Sequence, residues 1–200
     1  MLFKTASTGV ILLLAACAPG SAPAPAGPWF EDVASKRGID FEHVHGGTGE
    51  FHLPESIAGG AALFDADGDG RLDVYFTNGN LDPAAGIAGR AAPSNRLFLQ
   101  TEDGRFAEST PTSGLDDTGY GMGVGVLDLD NDGDLDVYSA NFGPDRLYRN
   151  RGDGTFEDWT EAAGIDVAGW SSSIAVCDYD LDGYLDLYVT RYVEYDRSRF

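Results

Sequence analysis

The chain has 200 residues, of which 13 are basic and 33 acidic, and its formal net charge is −20. So acidic a chain is repelled by nucleic acid and by anionic lipid surfaces, and we expect no nucleic-acid partner. Its hydrophobic fraction of 42% is enough for a packed core, which excludes global disorder, and its length suggests one domain.

The first 16 residues have the layout of an export signal. Lys4 precedes an apolar stretch, Val10 to Leu14, that is too short to span a bilayer. The run Leu14-Ala15-Ala16-Cys17 resembles a bacterial lipobox, which implies cleavage before Cys17 and lipidation of its thiol. We therefore expect a bacterial cell-envelope protein that contacts the outer membrane or the cell surface only through its lipid anchor. The alternative is an ordinary secretory signal with an incidental cysteine.

Residues 17–28 carry the anchor cysteine and a Pro/Ala-rich tether, and the folded part is expected to span residues 29–200. The second cysteine, Cys177, lies in an expected strand. Once Cys17 is processed, Cys177 has no partner, so we expect no disulfide and a small buried side chain.

Three blocks repeat along the folded part. Each consists of a β-rich run, a tight polar loop and a second β-rich run, which is typical of a hairpin. The blocks occupy residues 61–78, 124–141 and 174–191.

A second hairpin follows each of the first two blocks. It spans residues 95–108 and 145–159, turns at an Asp-Gly pair, and is closed by Gly114-Leu115 or Gly164-Ile165. Each unit thus has four short strands, the pattern of a β-propeller blade. The loops begin at residues 65, 128 and 178, and an insertion at 81–93 accounts for the longer first period.

The two ends of the folded part each look like half a unit. Trp29 to Val33, with Gly38-Ile39, resembles a final blade strand, and the third block has only its first hairpin. We therefore predict an all-β fold, a partial β-propeller with about three four-stranded blades, from a longer protein. An open stack closed by self-association is the alternative.

The loops share the pattern D-x-D-x-D-G-x-L-D, numbered here as positions 1 to 9. Hard carboxylate oxygens at positions 1, 3, 5 and 9, with a backbone carbonyl at position 7, suit Ca²⁺ rather than Zn²⁺. Glycine at position 6 permits the turn, and Leu72, Leu135 and Leu185 at position 8 are expected to point into the core. The candidate ligands are Asp65, Asp67, Asp69, Arg71 (backbone) and Asp73; Asp128, Asp130, Asp132, Asp134 (backbone) and Asp136; and Asp178, Asp180, Asp182, Tyr184 (backbone) and Asp186.

About three structural calcium ions are therefore predicted. An EF-hand needs Glu at position 12, where this chain has Phe76, Ser139 and Val189, so helix-loop-helix sensing is disfavoured. The alternative is that the loops are solvated turns.

Other candidate chemistry is sparse. His43, His45 and His52 could bind a transition metal or act as acid and base, but they are more simply explained as loop or packing residues. Trp159 and Trp170 could stack on sugars or fill the core. No catalytic residue is assigned.

The residues from Phe41 to Asp65 resemble the opening of cartilage-acidic-protein-like (ASPIC/UnbV) proteins, and the Asp-loop units are similar to FG-GAP/VCBS repeats of integrin α-chain propellers. The resemblance implies a propeller with Ca²⁺ in its hairpins and extracellular binding or adhesion. We therefore expect a non-catalytic, surface-anchored module for a protein or polysaccharide ligand. The alternative is an envelope enzyme acting on glycans, with catalytic residues outside these 200.

Overall fold

The computed structural model describes residues 27–47, 52–57, 59–80, 93–165 and 167–195. The export signal, Cys17 and most of the 81–93 insertion lie outside these ranges. The chain divides into two compact regions, residues 1–32 and residues 33–200. In the first region, the described residues 27–32 contain neither helix nor strand. All structure discussed below belongs to the second region, and the word unit is kept for a four-stranded repeat.

The first sheet follows a short helix and a 3₁₀ turn. Helix α1 spans Ala34–Arg37, and the 3₁₀ turn spans Leu53–Ser56. Four antiparallel strands then pair in chain order. They are β1 (Ala61–Phe64), β2 (Asp73–Phe76), β3 (Arg96–Gln100) and β4 (Phe106–Glu108).

The second sheet repeats this order after helix α2 (Thr110–Ser113). Strand β6 pairs with β5 on one edge and with β7 on the other, and β7 pairs with β8. The strands are β5 (Gly121–Leu127), β6 (Asp136–Pro144), β7 (Arg146–Asn150) and β8 (Phe156–Asp158). Both four-stranded units predicted from the sequence are therefore present.

The third block forms the hairpin of β9 (Ala168–Cys177) and β10 (Asp186–Arg191). The start of β9 also pairs with the end of β6, where Phe142 faces Trp170. The second sheet and the third hairpin therefore form one continuous six-stranded hydrogen-bonded system.

Two hydrophobic clusters hold the sheets together. The first joins Phe64, Tyr75 and Leu97 of the first sheet to Val137 and Tyr148 of the second. The second cluster, built around Leu127, Tyr138 and Leu147, packs against apolar side chains of the third hairpin. Each unit thus buries one face against the next, which removes apolar surface from water.

A short helical turn and a left-handed glycine close the units. Helices α1 and α2 end at Gly38 and Gly114, with φ of 93° and 81°. Residues 29–33 were predicted as a final blade strand. That prediction is wrong, because these residues are not in a strand. A final blade strand pairs with a third strand, and the third strands β3 and β7 already pair with β4 and β8.

Two burial predictions are also wrong. Cys177 is exposed, because its place in β9 alternates with that of Ile174 and Val176 and faces away from the second cluster. Leu72 is exposed too, on a part of the first sheet that no described element covers, whereas Leu135 and Leu185 pack against the clusters.

The described fold is all-β apart from these short helical turns, with antiparallel sheets throughout. Within the described ranges, no helix is both long and apolar enough to cross a membrane.

Candidate metal sites in the Asp loops

The three Asp loops share one hydrogen-bond pattern. In the first loop, residues 65–73, Asp65 accepts the backbone N–H groups of Asp69 (3.1 Å) and Gly70 (2.8 Å). Asp69 in turn accepts the N–H of Arg71 at 2.8 Å. The same bonds recur in the second loop, residues 128–136, and the third, residues 178–186. Aspartate accepts such local bonds readily, which explains how the motif specifies the loop.

Left-handed backbone shapes each loop at two positions. Position 6 is glycine in all three, with φ between 84° and 97°, as the sequence predicts. Position 4 is also left-handed, at Gly68 (φ 74°), Asn131 (59°) and Leu181 (62°). The left-handed conformation at position 4 was not predicted from the sequence. Gly68 and Asn131 are residue types that favour it, but Leu181 at the same position is not.

Carboxylate oxygens converge in every loop. Within each set, one oxygen per residue lies within 4.8 Å of the others. The sets are Asp65, Asp67 and Asp73; Asp128, Asp130 and Asp132; and Asp178, Asp180 and Asp186. Calcium–oxygen distances are about 2.3–2.6 Å, so ligands on opposite sides of an ion lie about 4.6–5.2 Å apart. The three oxygen sets fit a Ca²⁺ ion in both spacing and chemistry.

The aspartate at position 9 also links its loop to the sheet. Asp73 is buried, and it accepts the N–H of Ala66 at position 2 (2.8 Å) and the N–H of Gln100 at the end of β3 (2.7 Å). Asp136 does the same for Leu129 and Asn150, both at 2.9 Å. Position 9 was predicted only as a ligand, and the structure adds this clamp between loop and third strand.

Burial raises the pKa of the Asp73 and Asp136 carboxyl groups above the usual range, against the lowering effect of their backbone hydrogen bonds. Neighbouring loop carboxylates raise both pKa values further. A cation among these carboxylates would oppose both effects, since it favours the charged form.

Arginines neutralise part of the loop charge. Arg149 of β7 forms ion pairs with Asp130 and, at 3.3 Å, with Asp132, and its guanidinium lies 5.5 Å from the Trp159 ring centre. In the first loop, Arg71 pairs with Asp69. The second loop therefore carries a built-in cation that a bound metal would have to share or displace.

The loops bring together most of the predicted ligands. Asp69, Asp182 and Asp136 lie outside the converging oxygen sets. The first two accept the position 7 N–H, and Asp136 forms the clamp described above. The side chains at position 7 differ among the loops. In all three, the backbone N–H of position 7 donates to the aspartate carboxylate at position 5.

In the part of the chain that the structure describes, the three histidines do not form a set of converging ligand nitrogens. His45 Nδ1 accepts the N–H of Gly47 (3.1 Å), and His52 Nδ1 lies 3.2 Å from the Tyr195 hydroxyl. Burial, then the nearby His45, lowers the pKa of His43. These contacts match the interpretation of loop and packing residues.

A cluster of aromatic rings, which sequence analysis missed, lies at the hairpin ends away from the Asp loops. Phe142 contacts Tyr120 and Tyr195, and Trp170 contacts Tyr192, with ring centres 5.2–6.2 Å apart. Trp170 is buried, as its core interpretation predicts, and Tyr192 is exposed. The rings come from loops and strand ends that are far apart in sequence, so no local sequence pattern predicts that they cluster.

Comparison with known families settles the nature of the repeat. The profile of the FG-GAP-like repeat matches residues 65–139 and again 128–189. Each match begins at the first aspartate of an Asp loop and ends within the strand that follows the next loop, β6 or β10. The chain belongs to the FG-GAP-like repeat family. Among curated proteins, no sequence matched it. The FG-GAP-like match begins at Asp65, so it does not bear on the ASPIC/UnbV resemblance of the residues before it.

Proposed function

We propose that this FG-GAP repeat chain is a calcium-stabilised, non-catalytic binding module of the bacterial cell envelope. The observation that carries the proposal is the threefold recurrence of converging carboxylates in one loop geometry. A like-charged cluster is unfavourable by itself, and a divalent cation turns that repulsion into attraction. The role proposed for the ions is structural: each fixes a loop between two strands.

The proposed architecture is a propeller of four-stranded blades. Two complete sheets that pack face to face through repeated contacts, followed by the first hairpin of a third, support it. The ASPIC/UnbV resemblance of the preceding residues and the lipid anchor at Cys17 belong to the same proposal. They agree with an extracytoplasmic location, where calcium-binding modules typically have dissociation constants of about 10⁻⁴–10⁻³ M.

The ligand proposed is a protein or a polysaccharide, and the aromatic cluster is its proposed contact. Tyrosine offers a flat apolar ring with a hydroxyl, which suits both ligand types at low entropic cost. Tyr192 presents such a ring to solvent next to the buried Trp170. The backbone N–H of Tyr192 donates to the carbonyl oxygen of Trp170 at 2.8 Å, which holds Tyr192 beside Trp170.

The test is binding of the mature chain to arrays of polysaccharides and envelope proteins, in calcium and in chelator. We expect calcium-dependent retention on at least one ligand, reduced about tenfold or more by Tyr192→Ala. Tyr184→Ala is the matched control, because Tyr184 is exposed to the same 57% but lies in an Asp loop. Retention on no ligand in calcium, or equal loss with both variants, would contradict the proposed contact.

A further inference from the structure

The turn between β7 and β8, residues 151–155, lies between the first and the second Asp loops. A Cβ at Gly154 would lie 3.3 Å from the Cβ of Asp67 in the first loop. A Cβ at Gly152 would lie 2.5 Å from the carboxylate of Asp134 in the second loop. The turn therefore contacts one loop of its own unit and one loop of the preceding unit.

Asn150, the last residue of β7, bonds both loops through one amide group. Its Nδ2 donates to the carbonyl oxygen of Ala66 at position 2 of the first loop, at 3.1 Å, and to that of Leu135 at position 8 of the second, at 3.0 Å. Asn150 is 3% exposed and Ala66 is fully buried. Because a buried carbonyl without a donor is costly, we expect the bond to Ala66 to hold the first loop firmly.

The orientation of the Asn150 amide is fixed by a third bond. Its Oδ1 accepts the backbone N–H of Gly152 at 3.0 Å, so both hydrogens of Nδ2 are directed at the two carbonyl oxygens. Because the side chain is held at three points, it cannot follow a shift of one loop without weakening its bond to the other.

Asn150 also connects the two position 9 clamps. The backbone N–H of Asn150 donates to Asp136 at 2.9 Å, and the N–H of Ala66 donates to Asp73 at 2.8 Å. A continuous chain of hydrogen bonds thus runs from Asp73 through the Ala66 peptide group and Asn150 to Asp136. Asp73 belongs to the converging oxygen set of the first loop, so this chain starts at a candidate ligand.

The second and third loops are linked by a different kind of bond. Asn131 at position 4 of the second loop donates its Nδ2 to the carbonyl oxygen of Gly183 in the third, at 2.8 Å, and this bond is exposed. Water can replace an exposed bond, so its loss costs less than the loss of a buried one. Asn150 and Asn131 therefore form a matched pair of amides, one buried and one exposed.

We propose that Asn150 couples the first two Asp loops, so that they bind calcium cooperatively. The inference rests on the calcium role proposed above and adds a regulation of the same sites. Asn150 is a positioning residue and not a ligand. Fixing the carboxylates of the first loop around a cation also fixes Ala66 and, through Asn150, the second loop. The second loop is then already partly ordered when it binds its own ion, which raises its affinity.

Charge alone predicts the opposite sign of coupling. Two bound cations repel each other, so filling one loop would lower the affinity of the other. Asn150 is uncharged, and replacing it with alanine leaves this repulsion unchanged. Positive coupling that is lost with Asn150 is therefore assigned to the hydrogen bonds and not to charge.

The first test titrates calcium by calorimetry into the full chain with its third loop disabled by Asp178→Ala and Asp180→Ala. The salt concentration is about 0.15 M, which screens the repulsion between ions. We expect two ions, with the second bound about tenfold more tightly than the first. With Asn150→Ala added, two ions should still bind, and the second should bind no more tightly than the first.

Asn131→Gly in the same background is the matched control. Glycine keeps the left-handed backbone of position 4 and removes an amide that bonds the third loop instead of the first. We expect the coupling between the first two loops to be unchanged in this variant.

A second readout follows amide hydrogen exchange of the chain in calcium. Asn150→Ala should speed exchange of the Ala66 N–H by about tenfold relative to the amides of β9, although the two residues are 84 apart in sequence. Strand β9 is the reference because a general loss of stability would speed exchange there as well. Asn131→Gly should leave exchange at Ala66 unchanged.

The outcomes separate the coupling from the calcium role. Two ions that bind independently while Asn150 is in place would overturn the coupling and leave the calcium role intact, and this result does not require the Asn150→Ala chain to fold. Equal coupling with and without Asn150→Ala would also overturn the proposal. No ion bound by either loop would overturn the calcium role and this inference with it.

Discussion

At position 4 of the third Asp loop, a leucine adopts a left-handed backbone conformation that leucine disfavours. The position is left-handed in all three loops, and the third fills it with Leu181, which is exposed and gains no burial there. A left-handed backbone costs a residue with a Cβ about 1–2 kcal/mol, and glycine avoids this cost. The third loop therefore carries strain that the first, with Gly68, does not.

Replacing Leu181 with glycine is expected to raise the free energy of unfolding by about 0.5–1 kcal/mol, because the relief of strain exceeds the added entropy of the unfolded chain. The reciprocal change, Gly68→Leu, should lower it by a similar amount, since the nearest atom to its Cβ is 3.6 Å away and the cost is in the backbone alone. Denaturant unfolding in calcium measures both. A loss of stability in Leu181→Gly would refute the strain argument.

Asp145 is a buried carboxylate that an amide can replace. It accepts bonds from the Asn141 N–H, the Tyr138 hydroxyl and the Ser171 hydroxyl, at 2.7–2.8 Å. In the first unit, Asn95 makes the corresponding bonds to Asn78 and Tyr75. Burial raises the pKa of Asp145, so its charged form costs the folded state free energy.

Asp145→Asn is therefore expected to fold and to be at least as stable as the natural chain at pH 7. Because the folded pKa of Asp145 lies above the unfolded value of 3.8, ionisation reduces stability as pH rises from that value through the folded pKa. The stability advantage of the variant should thus grow with pH over that window and then level off. Unfolding curves between pH 4 and pH 8 test this, and an advantage that shrinks with rising pH would contradict it.

At the scale of the element, Asp73 and Asp136 bond the first two Asp loops to the third strands of their sheets. Asp73 accepts N–H groups from the loop and from β3, and it also belongs to the converging oxygen set. Asp67 belongs to the same set, and the N–H of Asp69 that it accepts at 3.3 Å is shared with Asp65. Comparing changes at Asp73 and Asp67 in chelator therefore separates the clamp from metal binding.

Asp73→Ala is expected to destabilise the chain even in chelator, by about 1–3 kcal/mol for each of the two N–H groups left without an acceptor, less the relief of a buried charge. Asp67→Ala should be destabilising only when calcium is present, because it removes a ligand and no clamp. Thermal unfolding of both variants with calcium and with chelator measures the difference. Equal effects of the two changes under both conditions would show that position 9 is not a clamp.

The hairpins were predictable because their signals are local. Alternating apolar residues, Asp-Gly turns and the repeat itself predict the strands of both complete units to within about three residues; the largest differences are the start of β5 and the end of β6. The clamp was not predictable, since Asp73 and Gln100 are 27 residues apart and the contact depends on the sheet. The four-residue helices were missed for a related reason: they are too short for a helical period to show.

At the scale of the whole molecule, burial depends on which sheet faces are covered. Strand periodicity places Cys177 and Ile174 on opposite faces of β9 but does not say which face another sheet covers. The errors at Cys177 and Leu72 have this origin. The proposed set of ions would also be a property of the whole molecule, because the three carboxylate sets recur in equivalent loops and a bound ion would stabilise only the folded form.

The most direct test of the account is a calcium titration of the chelated mature chain by calorimetry, paired with thermal unfolding. We predict about three ions bound. Ten millimolar calcium should raise the free energy of unfolding by about 1.4–2.7 kcal/mol per site and the Tm by about 10 °C or more. Asp67→Ala, Asp130→Ala and Asp180→Ala should each remove one ion. The exposed control Asp153→Ala, in the Asp-Gly turn between β7 and β8, should remove none. Fewer than one ion bound, with a Tm that calcium and chelator leave unchanged, would show that the Asp loops are solvated turns and would contradict the account.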